Sequence, residues 1–449
     1  MTMDLQQQVR QEQASLEQVV ADALAVARQL GADSAEVSIS KQTGLSVNTR
    51  GGEVESIEFN KDGALGIAVY REGRKGSSST TDLGPEAVRL AVEAALEISR
   101  HTAADPYSGL ADADWLAWDA PELDLLHPLA ADPEFGTELA RRCELHALSR
   151  DPRIKQSDGA GFSSHHGIKV YGNSHGFVKG YSGSRHSLSC VLIGEQDGEM
   201  QRDYGYSSCR HIEDLWSPER IADEAVERTV SRLGARKIGT ATLPVLFNPD
   251  TATSLFGHLV SAIGGGNLYR KSSFLLDSLG EQIFPKWLTI DEQALLPRGL
   301  ASAPFDAEGV RTRDRAIIDA GRLQTYLLTT YSGRKLGMPS TGHAGGIHNW
   351  QVNGRGEDQP QLLRQMGTGL LITELMGQGV NVVTGDYSRG AAGFWVENGE
   401  IAYPVEEITI AGNLKEMFRH LVAVGNDWDS RSSLRTGSIL LEQMKIAGN

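Results

Sequence analysis

Glycine placement constrains this chain more than any other feature. The 50 glycines fall between short runs of alternating apolar and polar residues, a pattern that demands many strands joined by tight turns. Residues 36–81 read as a strand meander (EVSIS, LSVNTR, VESIEF, ALGIAVYR) with turns expected at Gly51-Gly52 and Asp62-Gly63. A helix precedes it, with Leu16, Val19, Val20, Ala23, Leu24 and Ala27 at helical spacing and Gly31 as its stop. Pro85 opens another that runs to about Arg100, with Val88, Ala91, Val92, Ala95 and Leu96 on one face. After a Pro- and Asp-rich linker (101–133) the order recurs: a helix over 134–149, strands over 153–211, and a helix opened by Ser217-Pro218-Glu219. Two successive helix–meander–helix units suggest a structural duplication, although their sequences are not visibly similar.

The texture changes at residue 239. TATLPVLFNP reads as a buried strand, and Asn248-Pro249-Asp250 caps a helix over 250–263 that stops at Gly264-Gly265-Gly266. Alternating segments and hairpin turns follow, with Glu397-Asn398-Gly399-Glu400 the clearest turn. A helix around 413–422 and a final strand (SILLEQMKIAG) close the chain. With no βαβ alternation, a doubly wound sheet is not expected. The fold class is α+β. An N-terminal domain of helix–β meander–helix units spans 1–238, with subdomains at 1–105 and 130–238, and a mostly antiparallel β domain with two helices spans 239–449.

Composition excludes several functions. No stretch nears the ~20 apolar residues that span a bilayer, and Met1 to Gln18 is polar, unlike a signal peptide. Cys143, Cys190 and Cys209 are widely spaced and odd in number, against a disulfide framework. These features make a cytoplasmic location the expectation, with no membrane partner. A net charge of −15 disfavours nucleic acid, which needs a basic face; the basic clusters Arg71–Lys75 and Arg311–Arg315 read as solvated turns.

Candidate chemistry is sparse. Among the 12 histidines there is no His-Glu-x-x-His. His165, His166 and His175 lie in strand-and-turn context, where adjacent side chains face opposite ways, and His343 and His348 flank Ala344-Gly345-Gly346; in both sets surface or loop histidines are the better reading. No G-x-S-x-G elbow exists. Gly264, Gly265 and Gly266 follow a helix rather than precede one, so they read as a stop where backbone approaches backbone. Residues 331–356, dense in Gly, His, Asn and Arg with Trp350, read as a long loop that contacts peptide or partner. Its contact candidates are Arg334, His343, His348 and Trp350, together with Gly264 and Gly265.

Three strings carry a family resemblance: YRKSSFLLDSLGEQIF (269–284), LMGQGVNVVTGDYSRGAAGFWVENGEIAYPVEEITIAGNL (375–414) and VGNDWDSRSSLRTGS (424–438). With NTRGGEVESIEFNKDGALGIAVY (48–70), they resemble the TldE (PmbA) branch of the TldD/TldE family along almost the whole chain. The resemblance implies a cytoplasmic zinc-peptidase heteromer that degrades or processes unfolded or small peptides, including microcin precursors and an antitoxin, and that is also called a modulator of DNA gyrase. The resemblance implies that in the TldD branch a His-Glu-x-x-x-His string, on the helix before the motif resembling Tyr269-Arg270-Lys271, supplies two His ligands to zinc and a Glu as general base, with a Cys near the C-terminus as the third ligand. Residues five apart on a helix lie about 140° apart, so that helix must end or distort at the second His. Gapless alignment from Arg270-Lys271 puts Gly257 and Ala262 at the His positions, His258 at the Glu and Thr436 at the Cys. No ligand survives. The expectation is therefore a subunit with no catalytic residue, no metal and no cofactor of its own, paired with a TldD-like subunit that holds zinc. Whether it forms a homodimer in isolation stays open. The alternatives are an autonomous peptidase using His165, His166 and His175, and a nonenzymatic regulator that binds a protein such as gyrase.

Overall fold

Val37, Ile39, Leu45 and Val47 alternate along one strand and are all buried, so a single face of that strand must be covered along its whole length. Two helical pairs cover it. The computed structural model describes residues 4–448; Met1 to Met3, where the polar N-terminal stretch begins, and Asn449 lie outside the described residues. The first unit comprises α1 (Leu5–Gln29), β1 (Ser34–Arg50), β2 (Glu53–Arg71), β3 (Arg74–Thr80) and α2 (Pro85–His101). The second repeats the order as α3 (Pro133–Arg150), β4 (Ile154–Asn173), β5 (Val178–Gln196), β6 (Glu199–Cys209) and α4 (Pro218–Ser231). Their six strands form one sheet in the order β3-β2-β1-β4-β5-β6, joined by antiparallel pairing of β1 with β4 from Glu36↔Asn173 to Thr49↔Ala160. The sheet order is thus symmetric about its centre. Helices α1 and α2 pack on Val37, Ile39, Ile67 and Val170, while α3 and α4 pack on Phe162, Leu188 and Leu192. Each unit also ends alike: a Cβ on Gly76 of β3 would strike Ala95 O of α2 at 1.9 Å, and one on Gly205 of β6 would strike Ile221 O of α4 at 2.3 Å. Both outer strands therefore need glycine where the closing helix crosses them.

The Gly51-Gly52 turn forms as expected, with φ of 62° and 82°. A second expectation is corrected. Asp62-Gly63 is no turn: Gln42↔Asp62 and Lys41↔Gly63 continue the β1–β2 ladder without a break, and the chain reverses next at Glu72 and Gly73. Long-range pairing overrides the local turn preference there.

The C-terminal half begins with β7 (Ala241–Phe247), α5 (Pro249–Ala262), α6 (Gly265–Tyr269), β8 (Thr289–Gln293), β9 (Arg315–Asp319), β10 (Arg322–Leu323), α7 (Thr330–Leu336) and β11 (Asn349–Asn353). It continues with α8 (Gln359–Met366), β12 (Gly369–Met376), β13 (Asp386–Glu397), β14 (Glu400–Asn413), α9 (Leu414–Arg419), β15 (Leu421–Val424), β16 (Leu434–Arg435) and β17 (Ile439–Ala447). Five helices stand among the described residues where two were expected, because three short ones are set by local caps and tight turns rather than by a long apolar period. One sheet runs β14-β13-β12-β7-β17-β15, and a further β14–β17 pairing closes it on itself. A smaller sheet runs β10-β9-β8-β11-β16. Pairing is mostly antiparallel, with parallel exceptions at β7–β12 and β11–β16. Arg431 fastens the halves together: its guanidinium donates to Glu224 of α4 at 2.7 and 3.0 Å and lies 4.2 Å from the Trp216 ring centre.

Glu144 of α3 fixes the β1–β2 turn. It is fully buried and accepts from Thr49 Oγ1 (2.9 Å), Gly51 N (2.7 Å) and Gly52 N (3.0 Å). Replacing it with Ala takes this acceptor from two buried residues, Thr49 and Gly52, each loss costing about 1–3 kcal/mol, and frees the exposed Gly51 amide to water. Urea denaturation of Glu144→Ala is expected to show a loss of about 3 kcal/mol or more, and a loss under ~1 kcal/mol would contradict this role.

Candidate functional site

Helix α5 sits where the sequence places it. The Asn248 side chain accepts from Thr251 N at 3.0 Å, and Pro249 takes the first turn. Ala252, Leu255, Phe256, Leu259 and Ala262 face the core, where the Phe256 ring lies 6.1 Å from that of Phe284. The helix ends at Ala262, the point at which residues five apart must leave regular helical geometry to converge.

The three positions aligned with metal ligands, and the one aligned with the general base, present a poor donor set. Gly257 and Ala262 carry no side-chain donor atom. A Cβ on Gly257 would meet nothing within 4 Å, so open space adjoins it. Thr436 is buried and donates its hydroxyl to Gly437 O at 3.0 Å. His258 supplies an imidazole but faces no carboxylate; its ring centre lies 5.9 Å from that of Tyr387, edge to face. Burial and the charge of Arg389 lower its pKa, which favours the neutral ring. Zinc takes three or four Cys, His or carboxylate ligands. These residues do not fit it, and no group of three or more His, Cys, Asp or Glu among the described residues is placed to hold a metal ion.

The reading of 331–356 as a long loop is corrected. It contains most of α7 and all of β11. Trp350 is fully buried, and His343 and His348 are 5% and 6% exposed, so none of the three offers a surface to a peptide or partner in this structure. The reason is Glu292 on β8, a residue the sequence reading missed. It is 1% exposed and bonds to His343 Nε2 (3.0 Å), His348 N (3.1 Å) and Trp350 Nε1 (3.1 Å), with Arg315 Nε at 3.5 Å. His343 Nδ1 in turn meets Thr341 Oγ1 at 2.8 Å. Its signal was a carboxylate at an inward position of the alternating TIDEQ strand. Arg334 is also used within the chain, donating to Leu110 O at 2.7 Å and Asp112 Oδ1 at 3.0 Å, which ties α7 to the linker between the two N-terminal units. Gly264 and Gly265 keep the close-packing role. Gly265 N donates to Leu327 O at 2.9 Å, and a Cβ on Gly265 would lie 2.3 Å from Ser332 Oγ. Gly265 also opens the five-residue α6, so the glycine run is not solely a stop. His165 lies on β4 and His175 in the turn after it. That span of about 30 Å at ~3.3 Å per residue keeps them apart.

Two buried carboxylates here give opposite pH signatures. Burial raises the Glu292 pKa, but the hydrogen bond and charge of His343 outweigh it, and the net shift is downward. Its stabilisation is therefore present above the unfolded value of about 4.3 and lost as pH falls through the lowered folded value. Asp306, which accepts from Glu308 N, Val310 N and Ala344 N, is pushed up to about 7 by burial and then by the charge of Glu308. Its contribution is present below about 3.9 and lost as pH rises towards the folded value. Thermal melts across pH 4–8 are expected to fall less steeply towards the alkaline end in Asp306→Asn than in the parent; parallel curves would contradict the assignment. Glu292→Ala, which leaves buried donors and a charge unpaired, is expected to cost about 3–5 kcal/mol in urea denaturation.

Comparison with known proteins matches three consecutive family models. They are the PmbA/TldA metallopeptidase domain 1 over residues 35–99, the central domain over 126–233 and the C-terminal domain over 240–448. The chain is 57% identical to Metalloprotease PmbA of Escherichia coli O157:H7, covering 100% of this chain and 99% of that protein. It is 54% identical to the Metalloprotease PmbA homolog of Haemophilus influenzae, covering 98% of each. Among solved structures, a protein of Bacteroides thetaiotaomicron provisionally described as a modulator of DNA gyrase matches with a TM-score of 0.90 at 28% identity, covering 96% of this chain and 98% of that one. TldE from Thermococcus kodakarensis matches in fold, with a TM-score of 0.83 at 20% identity over 96% of this chain and 100% of that one. With all three domain models matched in order and more than half of its residues shared with a PmbA protein along its full length, the chain belongs to the PmbA/TldA metallopeptidase family, in its PmbA (TldE) branch.

Proposed function

We propose that this chain is the noncatalytic TldE-type subunit of a cytoplasmic TldD/TldE metallopeptidase, paired with a TldD-like subunit that carries the zinc, and that the complex degrades or processes unfolded or small peptides. The observation that carries this reading is the state of α5. Its cap, its buried face and its end at Ala262 are kept, while Gly257, His258, Ala262 and Thr436 cannot supply a ligand set. A helix held this firmly by its core face tolerates loss of chemistry at Gly257 and His258, which lie off that face. Residues 53–64 of β2 support a role in peptide or partner capture. They pair with β1 on one side, while β3 pairs only from Leu65 onward, and Phe59 there is 65% exposed. Such an open edge can take up an extended chain through backbone hydrogen bonds.

Elemental analysis and a peptide-cleavage assay test the proposal together. The purified chain is expected to carry substoichiometric zinc and cleave no unstructured peptide, with cleavage appearing once a chain bearing His-Glu-x-x-x-His is added. One zinc per chain, or cleavage by the chain alone, would overturn it; solo cleavage abolished by His175→Ala would point instead to an autonomous site.

A further inference from the structure

Three buried polar atoms without a hydrogen-bond partner converge beside α5. Among the described residues, the buried side-chain atoms in this condition include His258 Nε2, Tyr387 Oη and Arg389 Nε. Tyr387 and Arg389 are two apart on β13 and so share a face, and the His258 ring packs edge to face on Tyr387. Tyr387 is 1% exposed, and apart from the Arg389 side chain beside it its hydroxyl has no partner, which is costly in a buried position. Arg389 has no acidic partner among the described residues, although a guanidinium is always charged and offers five donors. Its charge lowers the pKa of both neighbours, alongside burial at His258 and, together with its hydrogen bond, against burial at Tyr387. Burial dominates at Tyr387 and pushes its hydroxyl up to about 12, so it stays a neutral donor, while His258 is held neutral. The cluster carries one positive charge, which a monoanion balances. Open space above Gly257 leaves room for the body of a ligand.

We infer that His258, Tyr387 and Arg389 form a carboxylate-binding site, in which the guanidinium pairs with a carboxylate of a peptide and the Tyr387 hydroxyl and His258 imidazole donate to it. That the carboxylate belongs to a peptide rests on the function proposed above; the anion chemistry does not. His258, at the position aligned with the general base, thus serves recognition. The carboxylate comes from the peptide C-terminus or from an acidic side chain, and two probes separate these sources.

The test is titration calorimetry on the purified full-length chain, with no zinc and no partner subunit present. The probes are acetyl-Ala-Ala-Ala with a free C-terminus, its amide, the amide of acetyl-Ala-Asp-Ala, and inorganic phosphate. Binding by the free-acid or the Asp peptide, with none by the plain amide, is expected. Arg389→Gln should weaken it at least tenfold and Tyr387→Phe several-fold, both with unchanged circular dichroism. Nitrogen-15 NMR should show the His258 Nε2 resonance moving on addition of the carboxylate peptide and staying still in Arg389→Gln. Equal binding of the plain amide, binding of phosphate alone, no binding by any probe, or an unaltered affinity in Arg389→Gln would overturn the inference. None of these outcomes touches zinc content or partner-dependent cleavage, so the two readings fail separately.

Discussion

Burial of one face of α5 is the constraint on which the account rests. Phe256 and Leu259 are sunk in the same core as Phe284, Leu328 and Trp350, and each such side chain contributes about 1.5–3 kcal/mol through its removal from water. The helix is therefore positioned by its apolar side, whatever the opposite side carries. An enzyme site built on that opposite side can be lost residue by residue without disturbing the scaffold. Gly257 and His258 occupy that freedom; Ala262, on the core face, and Thr436, outside the helix, are instead packed as buried residues.

The same logic orders the rest of the molecule. In the N-terminal half two helical pairs cover one sheet face, and glycine at positions 76 and 205 lets the closing helix of each unit approach its outer strand. That shared device, together with the symmetric strand order, makes a duplication visible in structure where sequence shows none. In the C-terminal half Glu292 holds His343, His348 and Trp350 inward. A polar network of this kind stabilises only when every member is satisfied, which is why residues that look reactive in the sequence act as structure.

Much of this was legible in the residues. Ser217 and Asn248 cap their helices through side-chain oxygens, and Asn398-Gly399 turns with both residues at positive φ; each is a signal confined to a few neighbours. What was illegible depends on distance. Asp62-Gly63 reads as a turn until its partners on β1, 20 or more residues earlier, are known. His343 reads as a loop residue until Glu292, 51 residues away, is placed beside it. Tyr387 and Arg389 lie inside a string that identifies the family, yet nothing local marks them as neighbours of His258. The family strings located the candidate site; tertiary contacts alone revealed what its residues touch.

Native mass spectrometry of this chain mixed with a chain carrying His-Glu-x-x-x-His tests the central claim most directly, because it counts subunits and metal in one species. A mixed assembly whose zinc ions equal the number of partner subunits is expected. An assembly with as many zinc ions as total chains, or the absence of any mixed assembly, would contradict it.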